Sequence, residues 1–119
     1  MPIIEVTCSD RVVPESRRAL AERLPHLVSV AVACEAEQYD GNLKSGDVIL
    51  RFHETGPWDS QGVDVLIEVK SKWFEDRARN RQERVDLILH GIRDVADDEI
   101  LIGVYFTMPV AAWAQSNEV

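Results

Sequence analysis

The stretch IIEV at residues 3–6 returns almost unchanged as LIEV at residues 66–69. Each copy opens a run of the same character: a β-branched stretch, a helical pattern, then a second β-branched stretch. Residues 3–8 (IIEVTC) read as a strand ended by SDR. PESRRALAERL begins a helix, with Pro14 tolerable in its first turn and Glu15 suited to the positive end of the dipole. Leu20, Leu24, Val28 and Ala31 recur at helical spacing. Pro25 lies inside that pattern, which predicts a kinked helix rather than a stop followed by an extended LVSVAVA. VILRFHE (48–54) is a second strand, TGPWDSQG a turn-rich connection and VDVLIEVK (63–70) a third strand. DRARNRQERVDLILHGIRDVA (76–96) predicts a second helix, with Val85, Ile88, Leu89, Ile92 and Val95 on one face. EILIGVYF (99–106) is the fourth strand, and TMPVAAWAQSNEV is a tail.

A chain of 119 residues holds one such domain, not two. The expectation is therefore a single α+β domain made of a duplicated βαβ unit, with halves at about 1–62 and 63–119. The first half is the longer, chiefly in its loop before Val48. Two copies of so long a period exclude a solenoid. Right-handed crossovers would give a four-stranded mixed sheet with both helices on one face. The other face is left bare. With Ile4, Val6, Leu66 and Val104 or their neighbours assigned to it, that face is expected to pack on another subunit.

Composition narrows the function classes. A hydrophobic share of 45% and a charged share of 29% are those of an ordinary globule. A net charge of −8 opposes contact with phosphate backbones, so no nucleic acid is expected as a partner. No apolar run approaches the length of a membrane span, and the first residues lack the pattern of a secretory signal. Cys8 and Cys34 lack metal or redox spacing and read as free thiols of a cytoplasmic protein. His26, His53 and His90 show no metal-ligand spacing, and there is no Gly-rich phosphate loop or Gly-x-Ser-x-Gly elbow. No metal and no cofactor are assigned.

The two halves differ at one chemically suggestive position. Pro2 precedes the first IIEV, whereas its equivalent in the second half is Val65. Removal of Met1 would leave a secondary amine at the chain's start. An α-amino group titrates nearer to neutrality than any lysine, and an apolar wall with nearby cations lowers its pKa further. Such a group suits proton abstraction beside a carbonyl. Alone, a proline in second place signifies only efficient methionine removal.

Pro2 in front of a duplicated βαβ resembles the tautomerase superfamily, and the resemblance covers essentially the whole chain. It implies a tautomerase/MIF-like fold, an amino-terminal proline as catalytic base, assembly as a homotrimer and a small carboxylate-bearing substrate. CSDRVVPESRRALA and VYFTMPVAAWA look most like the cis-3-chloroacrylic acid dehalogenase group, and EVKSKWFEDR and the tail look like a neighbouring group of short proteins. Carried over residue by residue, the resemblance implies that Tyr105 lies in the pocket and that Arg11 binds a carboxylate. Lys72 and Arg77 fall where the dehalogenase group has its arginine pair. His26 lies about two positions from that group's helical histidine. Gln115 stands where the group has its water-activating acid, with Glu118 three residues on as the one substitute. Hydrolytic dehalogenation is therefore not expected.

Other features carry simpler readings. Arg51 points to a pocket or to solvent, and Trp58 and Trp113 line a site or an interface between subunits. DRARNRQER reads as a solvated helix face with charges paired at i,i+4. Glu5 and Glu68 hold equivalent strand positions and read as structural, either one being a possible pocket acid. Three functional expectations follow: a Pro2-based tautomerase or isomerase of 2-oxo or enol carboxylic acids; a non-catalytic trimer of the same fold that binds a ligand or partner; and a ferredoxin-like βαββαβ module in which Pro2 is incidental. The dehalogenase, hydratase and decarboxylase branch of the superfamily stands as a further alternative to the first.

Overall fold

The computed structural model describes residues 2–118, the side chain of Glu118 excepted. Strand β1 is Ile3–Cys8, and helix α1 is Pro14–Val32. Strands β2 (Ile49–Glu54) and β3 (Val65–Lys70) follow, then α2 (Glu75–Arg79), α3 (Arg81–Ile92) and β4 (Ile102–Thr107). Short 3-10 turns occupy Gln38–Asn42, Arg93–Val95 and Ser116–Glu118.

The sheet runs β2-β1-β3-β4. β1 is parallel to β2, β3 is parallel to β4, and β1 and β3 are antiparallel at the centre. Each βαβ unit thus keeps its two strands side by side, and the two units meet along β1 and β3. A ferredoxin-like module splits its βαβ so that another strand lies between the pair. That alternative is excluded.

Alternation decides the faces. Ile4, Val6 and Cys8 of β1 and Val65, Ile67 and Val69 of β3 are buried together with Leu20, Leu24, Val28 and Val32 of α1 and Ile88 and Ile92 of α3. Fully burying one such aliphatic side chain contributes about 1.5–3 kcal/mol, and this layer is where the fold gains most of its stability. α1 and α3 approach closely at Gly91, where an added Cβ would lie 2.6 Å from Leu27 Cδ2.

Helix α1 continues through Pro25, as its pattern predicts. Leu24, Pro25 and Val28 are all buried, so packing outweighs the hydrogen bond that a proline cannot donate. The second helix differs from the expected single run. It breaks at Asn80, a residue of low helix propensity whose Oδ1 accepts from Arg84 Nε at 2.8 Å.

The open sheet face corrects a sequence-based expectation. Ile4 and Val6 lie in the buried core and Val104 packs against it, so these residues do not form the bare surface. On that surface Arg51, Glu5, Glu68 and Tyr105 stand in register across β2, β1, β3 and β4. His53 Nε2 lies 3.2 Å from Glu5 Oε1, and Lys70 Nζ lies 3.7 Å from Glu5 Oε2. The hydrogen bond with His53 holds the Glu5 carboxyl below its usual range, with Lys70 and Arg51 adding to it. The face is laced with charge; Leu66, Ile3 and Ile49 are its aliphatic minority. Among the described residues no helix is long and apolar enough to cross a membrane.

Candidate active site

A cavity of about 320 Å³ opens at the end of the sheet where β1 begins and β3 and β4 finish. Ile3, Lys70, Ser71 and Lys72 form one side. Pro109, Ala111, Ala112 and Trp113 form another, and Glu37 closes it from the loop after α1. Pro2 is buried and immediately precedes Ile3; its carbonyl accepts from Ile49 N at 3.4 Å.

Backbone pairing explains how distant segments converge here. Ser71 N donates to Thr107 O at 3.1 Å and Trp73 N to Pro109 O at 3.0 Å, which draws the chain after β4 across the exit of β3. Trp113 is held by its Nε1, which donates to Gln115 Oε1 at 2.9 Å, while Gln115 Nε2 donates to Asn117 Oδ1 at 2.6 Å.

Glu37 is placed by the end of α1. That helix has no basic residue in its last turn, so its terminal carbonyls need partners from elsewhere. Two arginines of the second half supply them. Arg84 Nη1 donates to Ala31 O at 2.9 Å and Ala33 O at 2.7 Å, and Arg77 Nε donates to Val32 O at 2.7 Å. The chain then folds back: Glu37 N donates to Cys34 O at 3.1 Å and Asp40 N to Glu37 O at 3.2 Å. Ser29 Oγ donates to Asp40 O and accepts from Leu43 N, fixing the turn to the helix. Among the described residues Glu37 Oε2 ends up buried with no hydrogen-bond partner, and so does Ser71 Oγ. A buried carboxylate oxygen without a donor is costly, and such a cost is commonly tolerated at functional sites.

The five residues implicated by sequence do not all meet. Pro2 and Lys72 share this end of the sheet. Among the described residues Lys72 forms no ion pair; its Nζ lies 5.5 Å from the centre of the Phe74 ring, on the cavity's rim. Arg77 sits nearby but does not face the cavity. It is fully buried, and its Nε, Nη1 and Nη2 donate to Val32 O, Lys72 O and Asp40 Oδ2. A guanidinium that is fully buried, bonded through all three nitrogens and absent from the cavity's lining is not placed to meet a substrate carboxylate. Arg11 lies beyond the opposite end of β1, with Nη1 3.3 Å from Asp64 Oδ2. Tyr105 is exposed on β4 and lines a separate groove of about 180 Å³ with Arg81, Gln82 and Val85. Within one chain neither Arg11 nor Tyr105 joins Pro2.

Several simpler expectations are also resolved. DRARNRQER is not a wholly solvated face: Arg77 and Arg84 turn inward to α1, and among the described residues only Arg79–Glu75 forms an i,i+4 ion pair, at 4.0 Å. Burial lowers the pKa of Arg84, yet no protein environment here deprotonates it. His26 is spent on Leu43 O through Nδ1 at 3.1 Å. Trp58 is almost wholly exposed and Trp113 lines the cavity. Gln115 is taken up with Trp113 and Asn117. The side chain of Glu118 and the fate of Met1 lie outside the described residues. Sequence reasoning missed Glu37, which lies in a polar loop with no motif around it. Among the described residues no group of three or more His, Cys, Asp or Glu is arranged to hold a metal ion.

No protein-family model and no curated protein matches this chain. Solved structures do. A structure of Leishmania major MIF2 has a TM-score of 0.58 at 16% identity, covering 95% of this chain and 93% of that one. The FG41 malonate semialdehyde decarboxylase inhibited by 3-bromopropiolate also gives 0.58 at 16%, covering 90% and 82%. A fused 4-OT, solved as a symmetric trimer, gives 0.55 at 10%, covering 90% and 85%. The chain has the tautomerase/MIF-like fold.

Proposed function

We propose that this chain is an acid–base enzyme of the tautomerase kind, acting on a small 2-oxo or enol carboxylic acid in the cavity beside Pro2. The observation that carries the reading is the pairing in one cavity adjoining the amino-terminal proline of Lys72, which has no ion partner among the described residues, with Glu37 Oε2, a buried carboxylate oxygen with no donor among them. Once Met1 is removed, the Pro2 nitrogen takes a proton from an enol oxygen or from the carbon beside a carbonyl, and returns it to carbon. Lys72 Nζ holds the substrate carboxylate as a point charge. Pro109, Ala111, Ala112 and Trp113 give the rest of a small substrate an apolar wall, which excludes water and keeps the amine basic. The active form in this proposal is a homotrimer, in line with the symmetric trimer of the fused 4-OT. Arg11 and Tyr105, remote from Pro2 in their own chain, then reach a site only as contributions from a neighbouring copy. A trimer of the same fold without catalysis is the reading that absence of turnover would leave.

Intact mass and kinetics test this together. The purified protein should lack one methionine, and it should ketonise phenylenolpyruvate. Pro2→Ala should lower that rate by about 10²–10⁴-fold, the range for a positioned base. Undiminished turnover in Pro2→Ala removes the proline from the chemistry.

Glu37 also favours a second reading. Addition of water to an unsaturated acid needs a carboxylate to take the water's proton, and Gln115 cannot serve. Glu37 Oε2 supplies such a group from an unforeseen direction. Release of chloride from a 3-chloroacrylate, lost in Glu37→Gln while phenylenolpyruvate turnover persists, would support this reading. No release from either isomer would sink it.

A further inference from the structure

We propose that Arg77 is a positioning residue that sets the separation between Lys72 and Glu37 across the cavity, with Phe74 as its lever on the lysine side chain. The inference rests on the cavity being the enzymatic site. Arg77 is fully buried and reaches three separate segments. Its Nη1 donates to the backbone carbonyl of Lys72 itself. Its Nη2 donates to Asp40 Oδ2 at 3.1 Å, and Asp40 N is bound to Glu37 O, so the same guanidinium grips the turn that carries the acid. Its Nε donates to Val32 O at 2.7 Å, which anchors both to the end of α1. One planar, permanently charged group with fixed donor directions therefore ties the two walls to one helix terminus. The Phe74 ring completes the link: Arg77 Cζ lies 5.3 Å and Lys72 Nζ 5.5 Å from its centre. The lysine head is thereby held by a ring that Arg77 also contacts.

A lysine in place of Arg77 keeps the charge but loses the fork: its three donors radiate from one nitrogen and do not span acceptors on three separate segments. Displacement of Lys72 by about 1 Å is enough to cost on the order of 10²-fold in turnover. A merely structural arginine would lower stability without caring whether Lys72 is present. The experiment is a double-mutant cycle on the full chain, with phenylenolpyruvate as substrate and thermal melts of every variant. Arg77→Lys should reduce kcat/KM by about 10–100-fold in the parent. In the Lys72→Met background the same change should cost less than about threefold, because the group it positions is gone. Equal costs in the two backgrounds, at temperatures where all variants are folded, overturn the proposal. If Arg77→Lys does not fold, Phe74→Leu takes its place. It should raise KM by about 2–5-fold in the parent and leave KM unchanged in Lys72→Met, and equal effects in both again overturn the proposal. A parent without turnover removes the enzymatic reading and the positioning role with it. Turnover in the parent with additive effects removes the positioning role alone.

Discussion

The two ends of this sheet are related by the internal repeat, yet their polar groups are partnered differently. β1 and β3 run antiparallel, so Ile3 faces Lys70 at one end and Cys8 faces Val65 at the other. At the Pro2 end the strands finish around a cavity with Lys72 and Glu37 on its walls. At the Val65 end Asp64 fills the corresponding place. Its carboxylate accepts from Ser9 Oγ at 3.1 Å, Arg11 Nη1 at 3.3 Å and Leu101 N at 3.1 Å. The Leu101 N–H above all, then Ser9 and Arg11, hold Asp64 below the usual carboxylate range. At one end, then, the polar groups satisfy each other; at the other, they are left wanting. Partnered groups hold a fold together, whereas a buried carboxylate oxygen with no donor among the described residues costs it stability.

The contrast breaks most sharply at Pro2. Its replacement by Ala should abolish turnover by about 10²–10⁴-fold while leaving the melting temperature nearly unchanged, a result read by parallel kinetics and thermal melts. Lys72→Met should come next. Losing one charge-assisted contact should raise KM for phenylenolpyruvate by about 10–100-fold, and a KM within twofold of the parent's would exclude Lys72 as the carboxylate anchor.

At the Val65 end the expected effects fall on stability instead. Asp64→Asn should cost about 1–3 kcal/mol in urea unfolding and leave kcat untouched. The pH dependence sharpens this. Because the folded pKa of Asp64 is depressed, its contribution is present above its unfolded pKa, roughly 3.9, and disappears as pH falls through the lower folded value. The parent should therefore lose stability below about pH 4 more steeply than Asp64→Asn. The smallest change belongs to Arg11→Ala, at about 0–1 kcal/mol, since that side chain is more than half exposed. A rise in KM in Arg11→Ala would show that a second copy brings this arginine to the cavity; an unchanged KM confines it to Asp64.

The strands, both helical faces and the persistence of α1 through Pro25 were legible because each is written in local periodicity. Leu20, Leu24 and Val28 state their helix, and IIEV and LIEV state their strands. Arg77 was legible in position but not in role. Nothing near it announces that one of its acceptors lies on α1, forty-five residues away, and another in the turn that follows. Glu37 was invisible for the same reason: its importance comes from a turn held by Ser29 and from a cavity wall contributed by the tail. The open sheet face was misjudged because alternation fixes which residues share a face but not which face the helices cover. Once Ile4 and Val6 lie beneath α1, Glu5, Arg51 and Glu68 must lie on the other side.

The connection from α1 to β2, residues 33–48, is longer than its counterpart from α3 to β4, residues 93–101. Glu37 and Asp40 both lie on that extra length. In evolutionary terms, an insertion in one member of a duplicated pair can be tried without risk to the strands that flank it, because the twin unit already supplies half of the sheet. Asymmetry of this kind lets the acid of the proposed site be exchanged or lost by changing one loop, without altering a strand. Relatives with the same sheet and a shorter connection would then differ in chemistry while remaining alike in architecture.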